Sequence, residues 1–262
     1  MKVLIKVGGT LLDEPESRAR IARQLAEIAR EYELVVVHGG GRQMTRYLEE
    51  RGIQSRFVDG LRVSDEPVID AILKVIAGSV NKQLVLAITS AGESAVGISG
   101  VDGLLTRAVQ LDPALHAVGR PEKTEGRLLN LLVNAGHIPV IACIAGDAQG
   151  NVYNVNADQK AVSCALGWRA DKLLFLTDVS GVKNQHGEVV PRLSPAEAHE
   201  LIESGIATAG MRAKLDAALI ALDSGLQEVL IASGQEPAVC TRLLAGDELG
   251  TRLSLQAQGV AR

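Results

Sequence analysis

The sequence predicts an α/β layered fold, and three observations carry that prediction: short runs that are apolar throughout, helical apolar spacing between them, and glycines at the junctions. Lys2 to Val7 is a β-rich run ended by Gly8-Gly9. Pro15 to Arg30 follows with Ile21, Leu25, Ile28 and Ala29 at helical spacing. Leu34-Val35-Val36-Val37 is apolar at every position, as a parallel strand covered on both faces requires. Three glycines, Gly39 to Gly41, then lead into a second helix from about Gln43 to Arg51. Strand, helix, strand, helix is the alternation of an α/β protein.

The pattern continues along the chain. Asp65 to Ser90 reads as helical with a break near Gly78, and Ala95 to Ile98 reads as a strand. Val101 to Arg120 carries turn signals at Asp102-Gly103 and Asp112-Pro113, so hairpins are expected there. Leu128 to Asn134 is helical and Ile138 to Ile141 is a buried strand. Gly146 to Val155 predicts a hairpin turning near Gln149-Gly150-Asn151. Asp158 to Leu166 is a helix, Lys172 to Leu176 a strand, and Asn184 to Gly187 a turn. Ser194 to Ser204 and Gly210 to Ser224 are helices; Val229 to Ile231 is a late strand and Pro237 to Leu244 a late helix. A soft lobe boundary near Gly167 to Asp171 divides the chain into residues 1–168 and 169–262.

Composition excludes several functions. The 262 residues are 47% hydrophobic, ample for a core. A net charge of -4 offers no basic field for nucleic acid, and one Trp, three Tyr and two Phe make no base-stacking surface. Cys143, Cys164 and Cys240 are odd in number and far apart, which fits a reducing compartment and no zinc site. The first residues already read as a strand rather than a signal peptide, and no apolar run is read as approaching the ~20 residues of a membrane span. The expectation is a cytoplasmic protein.

The candidate chemistry lies at strand ends, where ligands of open α/β sheets bind. Lys6 precedes Gly8-Gly9 there, so backbone N–H groups and an ammonium could meet an anion; a tight turn with a solvated lysine is the alternative. Gly40 and Gly41 repeat the arrangement at the next strand, against the alternative of a flexible turn. Neither run has Walker or Gly-x-Gly-x-x-Gly spacing, which disfavours a nicotinamide cofactor. Arg62 sits in a loop between helices, either gripping a carboxylate or lying on the surface. Asn154, Asn156 and Asp158 alternate along a strand end, though Asn156 alternatively caps the following helix. Lys214 lies near a helix start, as a phosphoryl partner of Lys6 or on a solvated face. Asp178-Val179-Ser180-Gly181-Val182, after a buried strand, is a turn or a nucleotide passage. The five histidines, His38 among them, look incidental.

Five segments in this order resemble the amino-acid kinase family: Lys6-Val7-Gly8-Gly9, His38-Gly39-Gly40-Gly41, Asn154-Val155-Asn156-Ala157-Asp158, Asp178 to Val182 and Gly210-Met211-Arg212-Ala213-Lys214. The likeness covers essentially the whole chain. It implies a three-layer αβα sandwich around a mainly parallel eight-stranded sheet. Residues 1–168 would take the acid and the dimer contact, and 169–262 MgATP. Gly60-Leu61-Arg62-Val63 and Asn154 to Gln159 are similar to members that phosphorylate the γ-carboxylate of N-acetyl-L-glutamate in arginine biosynthesis.

The resemblance also implies roles. Lys6 and Lys214 would stabilise the transferring phosphoryl group, Asp158 would hold both lysines, and Gly8, Gly9, Gly40 and Gly41 would offer N–H groups. Arg62 and Asn154 would bind the α-carboxylate with Asn156 nearby. Asp178, Val179, Ser180, Gly181, Val182, Lys183, Ile206, Ala207 and Thr208 would line the ATP site. No residue is assigned to a metal, Mg2+ being carried mainly by the ATP phosphates. Arginine-inhibited relatives carry an extra amino-terminal helix that builds a hexamer; with the first strand beginning at Lys2, a homodimer is expected. A kinase acting on aminoadipate or glutamate attached to a carrier protein is the rival reading. A non-catalytic amino-acid or nucleotide sensor is the other.

Overall fold

Alternation along the first strand, Lys2–Val7, sets the layers. Successive side chains of a strand point to opposite faces. Val3, Ile5 and Val7 pack with residues of the helices Pro15–Ala29, Gly41–Glu49 and Glu66–Ser90 on one face. Leu4 packs on the other face with the helices Ala157–Trp168 and Ala209–Asp223. The structure, a computed structural model, describes residues 1–255; residues 256–262 of the expected second lobe lie outside the described residues.

Among the described residues, eight strands form one sheet. Its order is Arg192–Leu193, Thr251–Ser254, Glu228–Ser233, Lys172–Thr177, Lys2–Val7, Glu33–His38, Ile138–Ala142 and Ala95–Ser99. All neighbours run parallel except Thr251–Ser254 against Glu228–Ser233. This is the expected three-layer αβα sandwich. Lys2–Val7 pairs with Glu33–His38 on one side and Lys172–Thr177 on the other. The sheet therefore grows both ways from the first strand, and the crevice beyond its carboxyl end is the switch point where ligands of such sheets bind.

The expected hairpins are present as Thr106–Gln110 with Val118–Thr124, and Ile144–Gly146 with Val152–Val155; together they close a small four-stranded barrel. Asp147 Oδ1 accepts from the backbone N–H groups of Gln149 and Asn151, which fixes the second turn where the sequence predicts it. The helix Pro195–Glu203 starts with a capping box between Ser194 and Glu197.

Three expectations are corrected. Glu66–Ser90 has no break at Gly78; it passes through a π-helical stretch, Leu73–Val80, whose wider turn absorbs the irregularity. That 25-residue helix is also long and apolar enough to cross a membrane by length and composition, contrary to the expectation that no run approaches that length. Its Ala71, Ile72, Ile76, Val80, Leu84 and Ile88 are buried in the core beside the sheet, which accounts for the composition. Finally, Arg62 does not lie in a plain loop. It ends a two-residue strand, Leu61–Arg62, paired with Phe57–Val58 across Asp59 and Gly60, both at positive φ (49° and 78°).

Candidate active site

Lys6 shares Leu4's face of the first strand, the face covered by the helices that carry Asp158 and Lys214. The three side chains meet beyond the strand end. Lys6 Nζ lies 2.9 Å from Asp158 Oδ1, and Lys214 Nζ lies 3.5 Å from Asp158 Oδ2. Lys6 and Asp158 are 6% and 5% exposed, so this is a buried charge cluster with one more cation than anion. Burial alone would raise the Asp158 carboxyl; the charges and hydrogen bonds of Lys6 and Lys214 outweigh it and hold the carboxyl below its ordinary value. Burial lowers the Lys214 ammonium against the pull of Asp158, and Lys6 lowers it further. A site with surplus buried positive charge is built for anions.

The glycine runs sit directly beside this cluster. Gly8 N–H donates to Leu176 O at 2.9 Å, which ties the first run to the neighbouring strand. A Cβ on Gly9 would lie 3.1 Å from both Gly40 N and Gly41 N, so glycine is what lets the two runs approach. Gly40 caps the helix Gly41–Glu49, whose first N–H groups have no intrahelical partner, and both glycines line the adjoining cleft.

Beyond the glycines lies a cleft of about 190 Å3 lined by Gly39 to Gly41, Arg62, Asn154 and Asn156, among others. Pockets that take drug-sized ligands measure roughly 300–1,000 Å3, so this smaller cleft suits a small acid. Arg62 is 8% exposed, with its guanidinium 4.6 Å from the centre of the Phe57 ring. It donates to Thr45 Oγ1 (2.7 Å), to Gly41 O (3.4 Å) and to Ser55 Oγ. These bonds hold it in the wall of the cleft rather than on the surface. Asn154 donates from Nδ2 to Ser64 Oγ at 3.0 Å. Asn156 is the helix cap, its Oδ1 accepting from Asp158 N (2.9 Å) and Gln159 N (3.2 Å), so the capping alternative accounts for its oxygen.

The other segments divide. Asp178, Val179, Ser180, Lys183, Ile206 and Thr208 are exposed on two loops of the carboxyl-terminal half. Gly181, Val182 and Ala207 are buried. Gly181 is explained by packing, since a Cβ there would sit 2.7 Å from Val189 Cγ1 and 2.8 Å from Thr251 Oγ1. Val182 donates its N–H to Thr251 Oγ1 at 2.8 Å, and its side chain, like Ala207, joins the core. These three offer a ligand backbone at most.

His38 is the residue that sequence reasoning missed. It ends the strand Glu33–His38 on the face of the helix Glu66–Ser90, and it is fully buried. Its Nδ1 lies 2.8 Å from Gly39 O and its Nε2 3.0 Å from Asn81 Nδ2. Burial, opposed by the bond to Gly39, lowers its pKa to about 4. The available signal was its place between a buried strand and three glycines.

The sequence profile described as the amino acid kinase family matches residues 1–233. The acetylglutamate kinase of Solibacter usitatus (strain Ellin6076) is 54% identical over 254 residues, covering 97% of this chain and 99% of that protein. That of Cereibacter sphaeroides (strain ATCC 17029 / ATH 2.4.9) is 41% identical, covering 94% and 85%. Among solved structures, N-acetylglutamate synthase from Neisseria gonorrhoeae, complexed with coenzyme A and N-acetyl-glutamate, superposes with a TM-score of 0.84 at 25% identity. The match covers 98% of this chain but 60% of that longer one. Giardia carbamate kinase, at 18% identity and a TM-score of 0.72, shares the fold.

Proposed function

The chain belongs to the amino acid kinase family, and on that premise we propose that it phosphorylates the γ-carboxylate of N-acetyl-L-glutamate at the expense of ATP, giving N-acetyl-L-glutamyl 5-phosphate and ADP. The reading rests on one observation above all, the buried Lys6–Asp158–Lys214 cluster beside two glycine runs. The 54% identity to an acetylglutamate kinase over nearly the full length of both chains supports the substrate.

The chemistry follows from charge. A γ-carboxylate is already ionised near neutral pH, its reference pKa being about 4.3, so no general base is needed. Its oxygen attacks the γ-phosphorus in line, and the bond to the ADP oxygen breaks. The obstacle is bringing one anion against another. Lys6 and Lys214 offset charge on the transferring group, Asp158 keeps the two ammoniums apart and aimed, and the N–H groups of Gly9, Gly40 and Gly41 bind its oxygens. The expected donor Gly8 is spent on Leu176 O at 2.9 Å and serves to fix the turn. Arg62 and Asn154 hold the α-carboxylate, with Asn156 beside them.

In this reading residues 1–168 hold the acid and 169–262 the nucleotide. Val179 and Ile206, apolar yet 40% and 37% exposed, offer surface to the base. Asp178, Ser180, Lys183 and Thr208 offer polar contacts, and Gly181, Val182 and Ala207 backbone. In this reading Mg2+ enters with the ATP phosphates, as MgATP. Three buried, unpaired cysteines fit the reducing cytoplasm. The enzyme is proposed to be a homodimer, as the family resemblance implies. Light scattering after size exclusion checks this, a monomer or hexamer being the contrary result.

The decisive assay is ADP release with MgATP and N-acetyl-L-glutamate, hydroxylamine trapping the acyl phosphate. A hydroxamate with this acid, and none with L-glutamate, L-aspartate, carbamate or aminoadipate, is expected. Silence with all of them, despite ATP binding, would overturn the proposal. Arg62→Ala should raise KM for the acid roughly 10- to 100-fold while kcat changes less, because a charge-assisted hydrogen bond contributes about 1.5–3 kcal/mol. An unchanged KM would remove Arg62 from the acid's site.

A further inference from the structure

The partners of His38 fix which of its ring nitrogens carries the proton. Nδ1 faces a carbonyl oxygen, Gly39 O at 2.8 Å, so Nδ1 is the donor. Nε2 faces Asn81 Nδ2 at 3.0 Å, so Nε2 is the acceptor. Asn81 cannot turn its amide round without loss. Nδ2 also donates to Val140 O at 2.9 Å, while Oδ1 accepts from Lys82 Nζ at 3.3 Å. Lys82 Nζ is itself held by Gly97 O at 2.9 Å. The neighbouring strand makes room for this amide with a glycine: a Cβ on Gly97 would sit 1.9 Å from Asn81 Oδ1. Asn81 follows directly on the π-helical stretch and is 1% exposed.

The consequence falls on one peptide plane. The carbonyl of Gly39 and the N–H of Gly40 belong to the same trans unit and point in opposite directions. Holding Gly39 O against the His38 ring turns the Gly40 N–H away from it. On that other side lie Gly9 and the crevice, since Gly40 N would be 3.1 Å from a Cβ on Gly9 and Gly40 lines the cleft. Among the described residues the Gly40 N–H donates to no backbone carbonyl. A Gly-Gly peptide has no side chain to resist flipping, so an external lock is needed.

We propose that His38 is a positioning residue for phosphoryl transfer: its Nδ1–H locks the Gly39–Gly40 peptide so that the Gly40 N–H faces the transferring group, and Asn81 holds the tautomer that does so. The proposal rests on reading this crevice as a phosphoryl-transfer site.

Two variants separate the lock from mere packing. In His38→Asn the amide nitrogen takes the δ position and can still donate to Gly39 O. In His38→Gln it takes the ε position and cannot. With MgATP and N-acetyl-L-glutamate, His38→Gln should lower kcat by on the order of 10²-fold with KM for ATP changed only a few-fold, the loss expected for one misdirected N–H donor. His38→Asn should stay within about tenfold of wild type. Equal losses in the two variants, or full turnover in His38→Gln, would overturn the proposal.

A second readout does not depend on the acid. In protein labelled with 15N-glycine, AMP-PNP with Mg2+ should shift the Gly40 amide resonance in wild type and His38→Asn, and not in His38→Gln. If wild type makes no acyl phosphate but shows this pattern, the substrate reading fails and the lock stands. If His38→Gln does not fold, His38→Asn alone decides: a silent Gly40 amide in it, or in wild type, would overturn the lock.

Discussion

Lys214→Ala lowers turnover by on the order of 10²-fold or more and leaves the fold standing. The two halves of that result have separate causes. The helix Ala209–Asp223 is anchored by Leu215, Ala218, Leu219, Ala221 and Leu222, all buried, and loses with Lys214 one long hydrogen bond to Gly210 O (3.3 Å). Lys214 is also the longer-range partner of Asp158, at 3.5 Å, so its loss leaves Asp158 paired with Lys6 at 2.9 Å. Stability should therefore move little. Chemistry loses a fixed positive charge where two anions must meet, and no nearby group replaces it. The check is kcat at saturating MgATP and N-acetyl-L-glutamate, with a thermal melt of the same sample. Near-normal kcat in a folded variant would remove Lys214 from the reaction.

What made this cluster legible in sequence was local. Lys6 sits at the end of an apolar run before two glycines, and Asn154 to Asp158 alternate into a helix start; both patterns follow from strand and cap geometry alone. Their meeting was not legible, because it depends on which helices cover which face of the sheet. Arg62 was misread for a related reason. Two-residue strands have no periodicity to detect, and Asp59-Gly60 at positive φ is a turn that closes them. The strand Thr251–Ser254 was missed because it is four residues long; it follows the helix Val239–Ala245 and runs antiparallel to Glu228–Ser233 but parallel to Arg192–Leu193. The π-helical stretch looked like a break because Gly78 weakens a helix and the apolar spacing slips there. His38 was passed over because a lone histidine carries no spacing, and its role depends on Asn81, distant in sequence and close in space.

Asp158→Ala should be the most damaging single change, lost both as an enzyme and in stability. Among the described residues, Asp158 is the one anion paired with both lysines, whose side chains are 8% and 14% exposed, and the substitution removes it. Breaking a buried pair by deleting one partner costs about 3–5 kcal/mol, because the remaining charge is left without compensation. Urea unfolding at pH 7 should show the drop as a lower midpoint at similar slope. The sign of the pH dependence is fixed by the direction of the shift. The folded Asp158 carboxyl lies below its ordinary 3.8, so its contribution is fully present above that value. It is lost as pH falls through the lower folded value, where wild type and variant should converge. A gap that widened on acidification would contradict this. One more variant separates chemistry from folding. Replacing Lys6 and Lys214 by Met and Asp158 by Leu removes the whole cluster at similar volume, and such replacements are often neutral or stabilising by about 1–4 kcal/mol. A triple variant that is inactive yet as stable as wild type would mean that the cluster is kept for the reaction and that the fold bears its cost.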